Sequence, residues 1–473
     1  MSVHRLQITA APTEGAPVLV DLATDEVAAQ SDGFNLGEPD TAFDQSGREV
    51  EAGREVTIPL LIRGQQSRVG IVMQDIARAI SVPDRWLCVQ RTPATDPVWF
   101  RIHPRSPGTL DIRDAYVDAP NLARWTRVLT LTVDSTAVGS QRAVPMVGTS
   151  SPTATVTNNG ADRGLVIDAP GEAPVPLRVD VKPAVNINGR RPLISTFTVP
   201  WDSPLLNGGR PAIIREDMDF SAVSGHSTRT TGHGSMSGGT ALTVTLDSTS
   251  NRQVGVTSSG STWRPEPGRY LVLARLFREG GTGEIKIRMG QSWATSTALQ
   301  PWRTWRPLSG ASRASWMPVG YLQHPLGDAG DGLRPSELMP PTIRFDITPT
   351  LTSSTSLVHL DQVAFIPVDL ARGSLASACF ADFADGVGFG GDFTLRVDGE
   401  KRRVAVVDYA GNHHAIPQPL RTGGWPIAVP GMATCVNVFL DTSDAPAGLE
   451  SITYSSQVQV DASPRLLHLG QER

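Results

Sequence analysis

The chain has 473 residues, 40% of them hydrophobic and 19% charged, a balance too apolar for a disordered chain, and it lacks the ~18-residue uncharged run that a spanning helix needs. A formal charge of −5 without Lys/Arg runs excludes the basic surface that nucleic acid demands, and no membrane insertion is expected. With 45 glycines and 37 prolines favouring turns over helix interiors, the expectation is an all-β, multidomain protein of mainly antiparallel β-sandwiches, about three domains by length.

The N-terminus, Met1 to Leu6, has no apolar signal stretch, so synthesis and folding in a cytoplasm are expected. Val56, Ile58, Leu60 and Ile62 alternate, as do Trp125, Leu129, Leu131 and Val133, and both runs predict half-buried antiparallel strands. Between them, Val69, Val72, Met73, Ile76 and Ile80 recur at three- and four-residue spacing before Pro83, predicting one short amphipathic helix over residues 67–80. Residues 1–136 thus read as a β-sheet domain with one helix. The Gly/Ser/Thr/Pro-rich stretch Ala137–Thr157 reads as a linker, and residues 137–206 as that linker with the first part of a second sandwich.

Residues 207–367 read as an inserted sandwich. Its predicted strands are Leu242–Leu246, Gln253–Thr257, Gly268–Phe277, Glu284–Met289, Ile343–Ile347 and Leu357–Ile366, short runs parted by Gly- and Pro-bearing turns. The Pro267-Gly-Arg-Tyr270 strand and the closing Leu360–Pro367 strand resemble a jelly-roll carbohydrate-binding module of the galactose-binding type. Residues 368–473 read as the remainder of the second sandwich. There Asp398-Gly399 joins two strands between Phe393 and Asp408, with the glycine expected to supply a positive φ. Cys88, Cys379 and Cys435 lie far apart without CxxC spacing, so free buried thiols are expected.

Several chemical motifs fail on context. Gly386-Val-Gly-Phe-Gly-Gly391 fits GxGxxG, but a strand rather than a helix is predicted after it. Gly225-His-Ser-Thr-Arg229 lacks the second glycine of a nucleophile elbow and reads as a solvated loop. His226 with His233, and His413 with His414, lack a third ligand at fitting spacing. Glu216, Asp217 and Asp219 read as a solvated face or as a structural calcium site of the jelly-roll module, not as a glycosidase pair. No catalytic residue is expected and no other cofactor.

The tryptophans carry more. Trp263, Trp293, Trp302, Trp305 and Trp316, five of ten, fall within 54 residues. Indole faces stack on the C–H faces of sugar rings, against which stands ordinary core packing. Trp302 and Trp305 sit in Pro301-Trp-Arg-Thr-Trp-Arg-Pro307, which reads as a loop; in a strand, a spacing of three would send them to opposite faces. The candidate carbohydrate site is therefore Trp293, Trp302, Arg303, Trp305 and Arg306.

The N-terminal β-domain with one helix, Asn158-Asn-Gly160, Gly171-Glu-Ala-Pro-Val-Pro-Leu-Arg-Val-Asp-Val181, Val397-Asp-Gly399, Trp425-Pro426 and Val429-Pro-Gly-Met432 together resemble the distal tail and minor tail proteins of long-tailed bacteriophages. The resemblance implies a ring, hexameric in that family, that joins the tail tube to the tip. It also implies tail tube, tail-tip hub and tape measure proteins as partners, and a virion location after assembly in the host cytoplasm. The inserted module would then face host cell-wall polysaccharide. The other reading is a secreted carbohydrate-binding protein or a glycoside hydrolase with an ancillary module, against which stand the missing signal and the lack of an acid/base pair.

Overall fold

The computed structural model describes residues 4–30, 34–37, 40–43, 49–103, 108–119, 122–149, 151–157, 165–183, 194–202, 213–216, 219–232, 236–248, 250–257, 268–281, 284–293, 296–305, 314–324, 342–349, 355–368, 377–387, 393–415, 421–422, 425–441 and 455–466. The fold is all-β with one α-helix, in two compact units. The first is Met1–Arg142 with Pro170–Val175 and Ala462–Arg473; the second is Ala143–Ala169 with Pro176–Asp461.

In the first unit, the alternating segments become the antiparallel strands Glu49–Gly64 and Leu122–Val133, paired from Arg54↔Val133 to Gly64↔Ala123. Their inward residues, among them Val56, Ile58, Leu60, Leu129 and Leu131, share one core with Leu6, Ile8, Leu87 and Phe100 of a second sheet. The helix spans Gln66–Ser81 and buries Val69, Val72, Ile76 and Ile80 in the same core. It stops at Val82, whose backbone is extended, as the residue before a proline favours. Among the described residues, the Gly108–Ala119 strand ends its sheet and pairs with Leu122–Val133 alone.

The expected linker at Ala137–Thr157 carries three short strands, Ala137–Gly139, Arg142–Ala143 and Thr153–Thr157. Ala137 and Val138 are buried, and Ala137–Gly139 pairs with Val98–Arg101 and with Arg465–Leu466 from the end of the chain. Strands of two to five residues whose partners are distant leave little periodic trace.

In the second unit, all six strands expected between 207 and 367 form, with Ile213–Glu216, Phe220–Ser221, Ser227–Thr231, Ser296–Leu299, Arg303–Trp305 and Ser315–His324 in addition. Among the described residues they pair only with one another, in two antiparallel sheets. The back sheet runs Ser227–Thr231, Thr240–Leu246, Ser356–Pro367, Gly268–Glu279, Ser315–His324; the front sheet runs Phe220–Ser221, Arg252–Thr257, Thr342–Pro349, Ile285–Trp293, Ser296–Leu299. Val244, Tyr270, Val272, Leu360 and Phe365 of the back meet Ile285, Ile287, Met289, Ile343, Phe345 and Ile347 of the front in one buried core. That arrangement is a two-sheet sandwich.

The remainder of the unit also follows alternation. Val175–Pro183 buries every second residue and pairs with Thr394–Asp398, where Asp180 and Arg396 stand in register and bond twice at 2.7 Å. The hairpin after Asp398 differs from expectation. Four residues separate Thr394–Asp398 from Arg403–Val407, and the positive φ, 50°, belongs to Arg402. Gly399 is needed for room: a Cβ there would lie 2.5 Å from the Pro426 carbonyl oxygen and 2.8 Å from that of Leu177.

Candidate functional site

The front sheet has one face against the sandwich core, and the opposite face gathers chemistry. Ile285-Lys-Ile-Arg-Met289 and Ile343-Arg-Phe-Asp-Ile347 both alternate, so burying the aliphatic set sends Lys286, Arg288, Arg344 and Asp346 to the other side. Antiparallel register places Arg288 opposite Asp346, Gly290 opposite Arg344 and Lys286 opposite Thr348. Arg288 Nε donates to Asp346 Oδ2 at 3.0 Å and Arg344 Nη2 donates to the same oxygen at 3.2 Å. Asp346 is fully buried, 0% exposed, and its other oxygen, Oδ1, has no hydrogen-bond donor among the described residues. Two guanidinium groups thus hold one carboxylate that burial alone would penalise.

Trp302 completes the face. Ser296–Leu299 pairs with Gly290–Trp293, and Arg303–Trp305 pairs with Ile285–Ile287 along the same side of Ile285–Trp293. The link between them is tied by Gln300 N donating to Met289 O at 2.9 Å. Trp302 lands beside Arg288, whose guanidinium carbon lies 4.2 Å from the indole centroid, a cation–π distance. Gly290 makes the space: a Cβ there would come within 3.0 Å of Arg344 Cγ and Nε. Leu299, 43% exposed, borders the same glycine.

The expected residues meet mixed outcomes. Trp302 is half-buried and carries Arg288 against its ring. The segment expected as a loop is the strand Arg303–Trp305, because pairing with Ile285–Ile287 overrides the flanking prolines. Arg303 is half-buried and pairs with Ile287; Trp305 pairs with the core residue Ile285. The side chains of Trp293 and Trp305, and the whole of Trp263 and Arg306, lie outside the described residues. Trp316 is a core residue, edge-on to Phe439 with centroids 4.8 Å apart.

Other motifs resolve as architecture. Ser227 is buried, not solvated: it opens the strand Ser227–Thr231, and its Oγ accepts from Val223 N at 2.8 Å. In GxGxxG, Gly386 and Val387 end the strand Ser377–Val387, the four residues after them are outside the described set, and the strand Thr394–Asp398 follows. His414 bonds Asp408 at 3.0 Å in an exposed turn, and the Asp408 carboxyl titrates below the usual range through bonds from His414 and Asn412. His413 is shifted down by burial and by Arg403. His233 and Asp217, and the side chain of Glu216, lie outside the described residues.

Arg288, Arg344 and Asp346 were not expected as site residues. Their signal was present in the alternation of the two strands, but only the pairing of residue 288 with residue 346, 58 positions apart, makes it a cluster.

No protein-family model and no curated protein matches this chain. Among solved structures it is similar to SGBP-B from a complex xyloglucan utilization locus in Bacteroides uniformis, at 11% identity, covering 77% of this chain and 92% of that one with a TM-score of 0.18. A TM-score of that size marks no common fold.

Proposed function

We propose that this chain is a non-enzymatic structural protein of a bacteriophage tail tip, and that its inserted sandwich holds host-surface carbohydrate on the front sheet. The observation that carries the carbohydrate reading is the Trp302–Arg288–Asp346–Arg344 cluster on the face turned away from the sandwich core. An indole packed on the Arg288 guanidinium, which shares Asp346 with Arg344, is what a sugar needs: an apolar group for ring C–H groups and fixed donors for oxygens. The carboxylate on this face is engaged by both arginines, which suits binding better than proton transfer.

The tail-ring reading is supported by the resemblance described above and by the first unit. Its Gly108–Ala119 strand offers twelve residues of terminal backbone, and a neighbouring copy can pair with such an edge until the rotation closes a ring.

Two experiments test the reading. Electron microscopy of the purified chain, alone and with a tail tube protein, should show rings; a monomer under every condition refutes the tail role and favours a secreted binding protein. A glycan array with the full chain should show binding that Trp302→Ala abolishes while the melting temperature holds. Unchanged binding in that variant refutes the front-sheet site.

A further inference from the structure

We infer that the front-sheet face selects an acidic polysaccharide whose sugars carry a carboxylate, an inference that rests on the carbohydrate reading above. The first observation is charge. The chain as a whole is at −5, yet the paired strands Ile285–Trp293 and Thr342–Pro349 bear Lys286, Arg288 and Arg344 against Asp346 alone.

The second observation is unspent hydrogen bonding. Arg288 gives Nε to Asp346 and Arg344 gives one Nη2. Among the described residues neither guanidinium has a further acceptor, and Arg344 Nε is buried without one. A guanidinium fork matches a planar carboxylate with two parallel bonds. Asp346 does not repel such a ligand, because it is buried and already balanced by both arginines.

The third observation is adjacency. Arg288 lies over one face of the Trp302 ring, so the guanidinium fork and the aromatic group meet at one spot, where a sugar would use the indole edge or the opposite face. A uronic acid supplies a ring face and a carboxylate within one sugar unit. A neutral glucan supplies the ring without the charge, and a phosphate polymer the charge without the ring. The uronate is the ligand that uses both features.

The test is a titration of the full chain with polygalacturonate, dextran and polyphosphate at low and high salt. Polygalacturonate should bind at least about tenfold more tightly than the other two, since one charge-assisted bond suffices for a factor of ten. Its affinity should fall with salt. Arg288→Gln and Arg344→Gln should each cost about tenfold, and Arg288→Lys, which keeps the charge and loses the fork, less. Thermal unfolding shows whether each variant is folded; should Arg288→Gln fail to fold, Lys286→Gln at a half-buried position reads the charge contribution instead, with a smaller loss expected. Dextran binding as well as polygalacturonate overturns the charge selection while leaving the glycan face standing. Polyphosphate binding equally, with Trp302→Ala harmless, overturns it in favour of a plain cationic patch. If none of the three polymers binds, both this inference and the carbohydrate reading fall.

Discussion

Asp361 is where a single atom exchange should cost most. It lies on the back sheet, 0% exposed, in an ion pair with Arg275, itself 1% exposed. The strands Gly268–Glu279 and Ser356–Pro367 slip register there, from Arg275↔Gln362 to Leu276↔Leu360, so Asp361 is the extra residue of a bulge, aimed at Arg275 by the backbone itself. Asp361→Asn keeps size and shape but removes the carboxylate charge that faces the Arg275 guanidinium in a buried site. Removing one partner of a buried pair costs about 3–5 kcal/mol, against about 0–1 for a surface pair, and near-complete burial of both groups places this one at the upper scale. Trp316 stands opposite Arg275 on the neighbouring strand and is buried; urea unfolding of the chain followed by circular dichroism reads the change in stability. The transition should shift by more than about 3 kcal/mol, and Arg275→Met with Asp361→Leu should recover most of it, because an apolar pair needs no compensation. A loss under about 1 kcal/mol in Asp361→Asn would refute the assignment of a dry, mutually dependent pair.

Arg127 sits on the core side of its strand, 2% exposed, over the Trp125 ring at 4.7 Å, with Nε and Nη1 lacking acceptors among the described residues; burial lowers its pKa. Arg127→Met should therefore stabilise the chain by about 1 kcal/mol in thermal unfolding, and destabilisation contradicts the reading. Burial pushes the Cys88 thiol up to about 11, so at pH 8 a thiol reagent should label the half-buried Cys435 well before Cys88; mass spectrometry of the labelled peptides decides. Asp408, depressed by His414 and Asn412, should contribute to its turn at every pH above the unfolded value near 4 and lose that contribution as pH falls through its lower native value. An NMR titration finding an ordinary carboxylate midpoint for Asp408 removes the effect. Gly399→Ala should destabilise the hairpin even though φ there is not positive, because the new methyl meets the Pro426 carbonyl; circular dichroism melting reads the shift.

Much of the fold was legible because its signals are local. Period-two burial marks Glu49–Gly64 and Leu122–Val133, and period-three-to-four burial marks Gln66–Ser81. What escaped depends on partners far along the chain. Arg465–Leu466 is two residues long and acquires meaning only beside Ala137–Gly139. Arg303–Trp305, bracketed by prolines, is a strand because Ile285–Ile287 offers it backbone bonds. Gly399 was correctly marked as special for the wrong cause: an Asp-Gly pair suggests a tight turn with positive φ, whereas the constraint is the approach of two carbonyls from other segments.

The site shows the same division between local and distant information. A cluster of tryptophans is visible in one dimension, and Trp302 does stand on the candidate face. Trp316 has the same residue type and lies in the same cluster, yet it is core, since its strand is flanked on that face by Leu273 and Phe439. Residue type alone cannot separate the two, because indole suits both a dry core and a sugar. What separates them is the neighbour each meets: Phe439 for Trp316, and a cation for Trp302. A buried carboxylate between two arginines is costly to build for stability alone, where apolar residues would serve as well or better. On a sheet face turned away from the core, this carboxylate holds the Arg288 and Arg344 donors in place, and the proposed carbohydrate reading rests on that pair and Trp302 rather than on the tryptophan count.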